Sequence, residues 1–183
     1  DPRLARAEVR MIATPQMALE AAAAVAREAG VTPLIPGDAI EGEARDVAAE
    51  HAKLARRIHK AGKRGAILSG GELTVTVRGA GRGGPNQEYV LSLADQLGDL
   101  SGISALAGDS DGADGGGGSA DDPAGAYFDA ATQASIREQS LTPSAYLAEN
   151  DATSFFEKPG DLLLTGPTLT NINDIRIILI DPD

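Results

Sequence analysis

Three polar loops carry most of the side chains able to do chemistry in this sequence. The first reads Gly79-Ala80-Gly81-Arg82-Gly83-Gly84-Pro85-Asn86-Gln87-Glu88. Glycines let backbone N–H groups turn toward an anion, and a helix start behind them adds partial positive charge. Arg78 and Arg82 could add forked guanidinium contacts to a phosphate or carboxylate. Gly79, Gly81 and Gly84 also satisfy the letter pattern G-x-G-x-x-G. However, the strand before them alternates polar and apolar residues, whereas a dinucleotide fold begins on a strand buried on both faces. The plain alternative is a flexible turn with solvated arginines.

The second loop holds Asp109, Asp111 and Asp114 within Gly108–Gly115. Closely spaced carboxylates suit a hard cation such as magnesium, which takes one or two of them plus substrate phosphates. A calcium EF-hand loop fails on register, because Ala113 falls on its fifth position and Asp114 on its glycine. A solvated acidic turn is the alternative here. The third loop, Thr165 to Asp174, offers Thr168, Thr170, Asn171 and Asn173. Their hydroxyls and amides could orient a sugar acid or a nucleotide, or simply build turns.

Each loop follows or precedes a segment read as a strand. Val9 to Ala13 and Val31 to Ile35 are strand-like, and Ala66 to Leu68 is a buried strand running into Ser69-Gly70-Gly71. Leu73, Val75 and Val77 alternate with polar residues as a half-buried strand would. Ile103 to Ala107, Asp161 to Leu164 and Ile175 to Ile180 complete the strands, the last run interrupted by Arg176. Helical spacing marks Pro15 to Ala29 (closed by Gly30), Glu43 to Lys60, 86–97 and 127–139. Strands alternating with helices predict an α/β fold: a mixed sheet flanked by helices, with glycine-rich and acidic loops after the strands. Ligands collect beyond the carboxyl ends of strands in such sheets.

Composition narrows the chemistry. The 183 residues include 16 basic and 27 acidic side chains, a formal net charge of −11. Residues 1–65 carry eleven basic and nine acidic side chains, residues 66–183 five and eighteen. That balance argues against nucleic acid or an anionic membrane surface as the main partner. The chain has no cysteine, which removes thiolate catalysis and zinc fingers and fits a reducing cytoplasm. Two histidines, His51 and His59, cannot build a multi-histidine metal site and read as packing or surface residues on one helix. No apolar run reaches the roughly 18 residues of a membrane span, and residues 1–30 lack the basic head and apolar core of a signal peptide. Neither a G-x-x-x-x-G-K-[ST] phosphate loop nor a G-x-S-x-G elbow is present.

Four stretches in order, Ser69-Gly70-Gly71-Glu72-Leu73-Thr74-Val75, Gly81-Arg82-Gly83-Gly84-x-Asn86-Gln87-Glu88, Ser110-Asp111-Gly112-x-Asp114-Gly115 and Thr165-Gly166-Pro167-Thr168-x-Thr170-Asn171-x-Asn173-Asp174, resemble the C-terminal half of the class II glycerate 2-kinases. That half is the MOFRL domain, and the family's members also carry the name hydroxypyruvate reductase. The resemblance covers about residues 66–180. Residues 1–65 look like the end of the family's central α/β part, and 66–183 like its C-terminal domain. Asp1 in place of Met is expected of a fragment lacking the N-terminal catalytic domain.

The resemblance implies transfer of the ATP γ-phosphoryl group to the 2-hydroxyl of D-glycerate, with Mg2+, in a cytoplasmic enzyme. It implies catalytic roles for Arg82, Asp111 and Asp114, and metal binding by Asp109, Asp111 and Asp114. Substrate or nucleotide binding would fall to Glu72, Arg78, Gly81, Gly83, Gly84, Asn86, Glu88, Thr168, Thr170, Asn171 and Asn173. The implied partners are a small-molecule substrate (D-glycerate or hydroxypyruvate) and the missing N-terminal domain, with a homodimer compatible. Two other readings stay open: an NADH- or NADPH-dependent hydroxypyruvate reductase, and a non-catalytic acidic interaction domain. The chain alone is expected to fold without turning over.

Overall fold

The computed structural model describes residues 7–8, 10–116, 119 and 121–182. Helix α1 (Pro15–Glu28) starts where the Thr14 hydroxyl accepts from the Met17 N–H at 3.2 Å and Pro15 occupies the first turn. Strand β1 (Thr32–Gly37), the short β2 (Gly42–Glu43) and helix α2 (Ala44–Lys60) follow. Next come β3 (Gly65–Gly71), β4 (Leu73–Thr74), α3 (Pro85–Leu97), β5 (Ile103–Asp109) and β6 (Gly125–Phe128). Three helices, α4 (Ala130–Glu138), α5 (Pro143–Ala148) and α6 (Ala152–Glu157), precede β7 (Leu162–Leu163) and β8 (Asp174–Ile180).

Six strands form one mixed sheet in the order β1-β3-β8-β5-β6-β7, and β2 pairs with β4 separately. Only β1 and β3 are parallel within it; β8 runs antiparallel to both its neighbours, as β6 does to β5 and β7. This is the mixed, helix-flanked α/β architecture expected from the alternation of elements. Strand β1 precedes residue 65 and pairs with β3 beyond it, so both segments share one sheet.

Helices cover the two faces unequally. On one face, Leu19 and Ala23 of α1 pack on Ala66 and Leu68 of β3. On the other, α2 presents Ala44, Ala48, Ala52 and Ala55, a stripe of small side chains that lets α3 approach closely. Residues 86–94 of α3 are all buried, so this helix is packed on every side. A helix apolar all round is read as a core helix, but α3 also buries Asn86, Gln87 and Glu88 at its start. Those three need partners.

Several local expectations change. Residues 10–13 are neither helix nor strand, and Met11 and Ile12 are exposed; Val9 lies outside the described residues. The strand expected through Val77 stops at Thr74, because its later N–H groups find side-chain acceptors instead of a ladder. The Thr76 N–H donates to the Glu43 carboxylate at 3.1 Å, and those of Arg78 and Gly79 donate to Asn150 Oδ1 at 2.7 and 3.0 Å. The helix expected from 127 starts at Ala130, where Asp129 and Thr132 form a capping box, and residues 125–128 pair with β5 instead. Among the described residues no helix is long and apolar enough to cross a membrane.

Candidate active site

Strand register gathers two of the polar loops at one end of the sheet. Gly71, the last residue of β3, and Asp109, the last of β5, both pair with Asp174, the first of β8. Loops leaving these three positions therefore start from a common level. The acidic and Thr/Asn loops interlock there. The Thr168 N–H donates to the Asp111 carbonyl at 3.0 Å, and the Thr168 hydroxyl to that of Ser110. Ser110 Oγ accepts from the Ile172 N–H at 2.8 Å, and Asn171 Nδ2 donates to Asp111 Oδ2 at 3.2 Å. Asn173 closes the loop, its N–H donating to Asn171 Oδ1 at 2.9 Å. Gly112, at φ +102°, lies so near the Gly166 carbonyl that a Cβ would clash. Between the loops opens a cavity of about 490 Å³, walled by Asp111, Ala113, Pro167, Leu169, Thr170 and Asn171 among others.

The three aspartates fare differently. Asp109 accepts the Asp111 N–H at 2.9 Å, and Asp111 accepts that of Ala113 at 3.0 Å. Partial burial, then the Asp111 and Asp174 carboxylates, push the Asp109 carboxyl above its usual range against the hydrogen bond from the Asp111 backbone. Asp114 is buried and turned into the protein. Its two oxygens accept four N–H bonds, from the backbone and side chain of Asn86 (2.8 and 3.1 Å) and of Gln87 (2.8 and 3.1 Å). Burial raises it to about 6, opposed by those donors.

Asn86 Nδ2 also donates to Asp174 Oδ1 at 2.7 Å, tying the start of α3 to the start of β8. Asp174 in turn faces Arg176, whose guanidinium is wholly buried and donates to Asp174 Oδ2 at 3.1 Å and to the Gly70 carbonyl. Burial pushes the Asp174 carboxyl up, and the Asn86 hydrogen bond and the Arg176 charge pull it back.

The glycine-rich loop packs elsewhere, along α5 and α6. The Gly81 N–H donates to the Glu149 carbonyl at 2.9 Å and the Arg82 N–H to Asp151 Oδ1 at 3.0 Å. The Arg82 guanidinium grips both Glu157 oxygens at 2.9 Å, with both side chains about half exposed. Arg78, Gly83 and Glu72 are exposed. At its end the loop meets the acidic loop, with Gly84 against the Asp114 backbone. Glu88 is buried in an ion pair with Arg45 at 2.7 Å, and its other oxygen accepts from Asn150 Nδ2 at 2.9 Å.

The cluster of Asp109, Asp111, Thr168, Thr170, Asn171 and Asn173 is thus brought together, with Asn86 and Asp114 beneath it and Arg78, Arg82 and Glu88 to one side. Among the described residues no three His, Asp or Glu side chains converge as a metal cage. Asp111 at the edge of the cavity and Asp109 beside it, two mutually repelling carboxylates, fit a cation that takes one or two carboxylates and completes its shell from a phosphorylated ligand.

The sequence profile of the MOFRL family matches residues 65–174, the span from β3 to the start of β8. This chain belongs to the MOFRL family. Among its relatives, the "Putative hydroxypyruvate reductase" of Agrobacterium vitis is 48% identical over 179 residues, covering 94% of this chain and 40% of that protein. The D-glycerate 2-kinase of Thermotoga maritima is 34% identical, covering 97% and 42%. The crystal structure of the Thermotoga maritima glycerate kinase superposes with a TM-score of 0.86 over 94% of this chain and 42% of that one. A Pyrococcus horikoshii structure, 33% identical, does so at 0.87 over 98% and 41%. The MOFRL chain therefore spans about 40% of the length of these relatives, and glycerate kinases are among its relatives in both sequence and fold.

Sequence reasoning missed Asp174, Arg176, Arg45 and Asn150 as parts of this MOFRL site's support. Arg176 left a signal: a lone cation inside the apolar run Ile175 to Ile180. Arg45 and Asn150 left none, because their partner Glu88 lies 43 and 62 positions away.

Proposed function

We propose that this chain is the MOFRL half of a cytoplasmic glycerate 2-kinase, moving the γ-phosphoryl group of ATP to the 2-hydroxyl of D-glycerate. The observation that carries the reading is the cavity where Asp111, with Asp109 bonded to its N–H, faces the Thr/Asn loop at the carboxyl ends of β3 and β5. Phosphoryl transfer asks a protein chiefly for positioning and charge neutralisation, and this constellation offers both. Asp109 and Asp111 would hold Mg2+, which when bound neutralises phosphate oxygens. Thr170, Asn171 and Asn173 would orient the substrate, while Thr168 clamps the loop onto Ser110. Asp114, with Asn86 and Gln87, would act by fixing the acidic loop. Arg82 would reach an anion by exchanging Glu157 for it, with Arg78 beside it; Glu72, exposed just past the end of β3, would lie near Asp174. On this reading residues 1–65 end the family's central part. The N-terminal domain of a family-length protein would supply the opposite wall and exclude water.

The name of the Agrobacterium vitis relative supports a second reading, an NADH- or NADPH-dependent reductase. Against it, the loop carrying the G-x-G-x-x-G pattern spends the N–H groups of Gly79, Gly81 and Arg82 on protein oxygens. Two assays on a family-length protein carrying this chain decide: ATP with D-glycerate and Mg2+, and NADH with hydroxypyruvate. Formation of 2-phosphoglycerate in the first is expected; NADH oxidation in the second without turnover in the first would overturn the kinase reading. The 183-residue chain alone should show weak ATP binding and no turnover.

A further inference from the structure

Leu169 is an oddity that the fold does not explain. Its φ of +61° lies in the left-handed region, which suits glycine and, among side chains, asparagine. The other non-glycine residues at positive φ among those described are Ser140, Asn150 and Asn173, all short and polar. Leu169 alone is aliphatic, and it is 96% exposed. The backbone holds this posture because both neighbours are pinned: the Thr168 N–H by Asp111, and Thr170, whose N–H donates to Thr168 Oγ1 at 3.4 Å. A leucine in this place strains the chain and gains no packing within it. Strained residues of this kind concentrate where a ligand is held.

Leu169 also walls the 490 Å³ cavity, with Pro167 and Ala113 as its other apolar surfaces. Asp111 borders the same cavity, so one space has an acidic end and an apolar flank. D-Glycerate and a hydrated cation are polar throughout. Of the reactants in the kinase reading, the adenine base alone presents a flat apolar face. We infer that Leu169, with Pro167, forms the wall on which the adenine of the nucleotide lies, its phosphates directed toward Asp111. The inference rests on the kinase reading and adds to it which surface discriminates the base.

The test compares MgATP with magnesium tripolyphosphate, which keeps the phosphates and lacks the base. Both are titrated by ligand-observed NMR into the 183-residue chain and its Leu169→Asn and Leu169→Gly variants. Both substitutions suit the left-handed backbone and delete the apolar wall. The wild-type chain should bind ATP at least fivefold tighter than tripolyphosphate. Each variant should lose that preference, leave tripolyphosphate affinity unchanged, and unfold at a temperature no lower than wild type. Equal binding of both ligands to wild type overturns the base site and leaves the kinase reading standing. Binding of neither overturns the base site, and the family-length assays decide the kinase reading separately. Retention of the preference in both variants, or a fall of several degrees in the unfolding midpoint of both, overturns the role of Leu169.

Discussion

Asp111 and Asp114, three positions apart in one loop, do opposite work. Asp111 lies at the cavity rim with one oxygen shared with Asn171, whereas Asp114 spends both oxygens on four N–H donors at the start of α3. Replacing Asp114 by Asn puts an amide where two of those donors need an acceptor. The loss should be about 2 kcal/mol, within the range for orphaned buried donors, and urea unfolding reads it as a lower midpoint. Asp111→Asn should shift stability by no more than about 1 kcal/mol while weakening Mg2+-dependent nucleotide binding. Equal destabilisation by the two variants would return both residues to a purely structural role. Spacing in the sequence suggested one cluster for the three aspartates. It could not tell which carboxylate points inward, since that depends on where α3 starts.

At the scale of elements, the long amphipathic segments could be read in advance and the short ones could not. The helices α1, α2 and α3 and the strands β3, β5 and β8 fall within a few residues of their expected bounds, because apolar periodicity and glycine or proline punctuation agree there. The six-residue helices α5 and α6 are too short for a 3.6-residue period to show, yet α6 supplies Glu157, and the turn between the two supplies Asn150 and Asp151, which together hold the glycine-rich loop. The two interlocked loops of the site were legible as polar insertions after strands; their common level came only from the register of β8 with β3 and β5. Gly84 shows what this packing demands. Its φ of −127° suits any residue, but a Cβ there would strike the Asp114 backbone carbonyl. Gly84→Ala should therefore cost about 3 kcal/mol through steric displacement of the acidic loop, measured by chemical denaturation. A variant as stable as wild type would show that the contact between the loops yields freely.

For the whole molecule, pH acts through charges placed in the core. His51 is buried with Nδ1 2.7 Å from the Tyr89 hydroxyl, and burial, then the Arg176 charge, lowers it to about 4. Its protonation favours the unfolded chain. The stability it contributes as a neutral ring is complete above about pH 6.5 and is lost as pH falls toward 4, a span worth about 3 kcal/mol. Asp114, raised to about 6, works in the opposite sense over a similar window and offsets part of this. Unfolding free energies of wild type and His51→Gln, measured at pH 7, 5.5 and 4, isolate the histidine. Wild type should lose stability relative to the variant at each step down, and parallel curves would refute the assignment. The central strand has a consequence of another kind. β8 follows every other element described, yet lies between β3 and β5, which do not otherwise pair. During synthesis, a nascent chain must leave the ribosome almost to residue 180 before its two half-sheets can join. Until then it holds two open strand edges, the sort of surface on which neighbouring chains add and chaperones act.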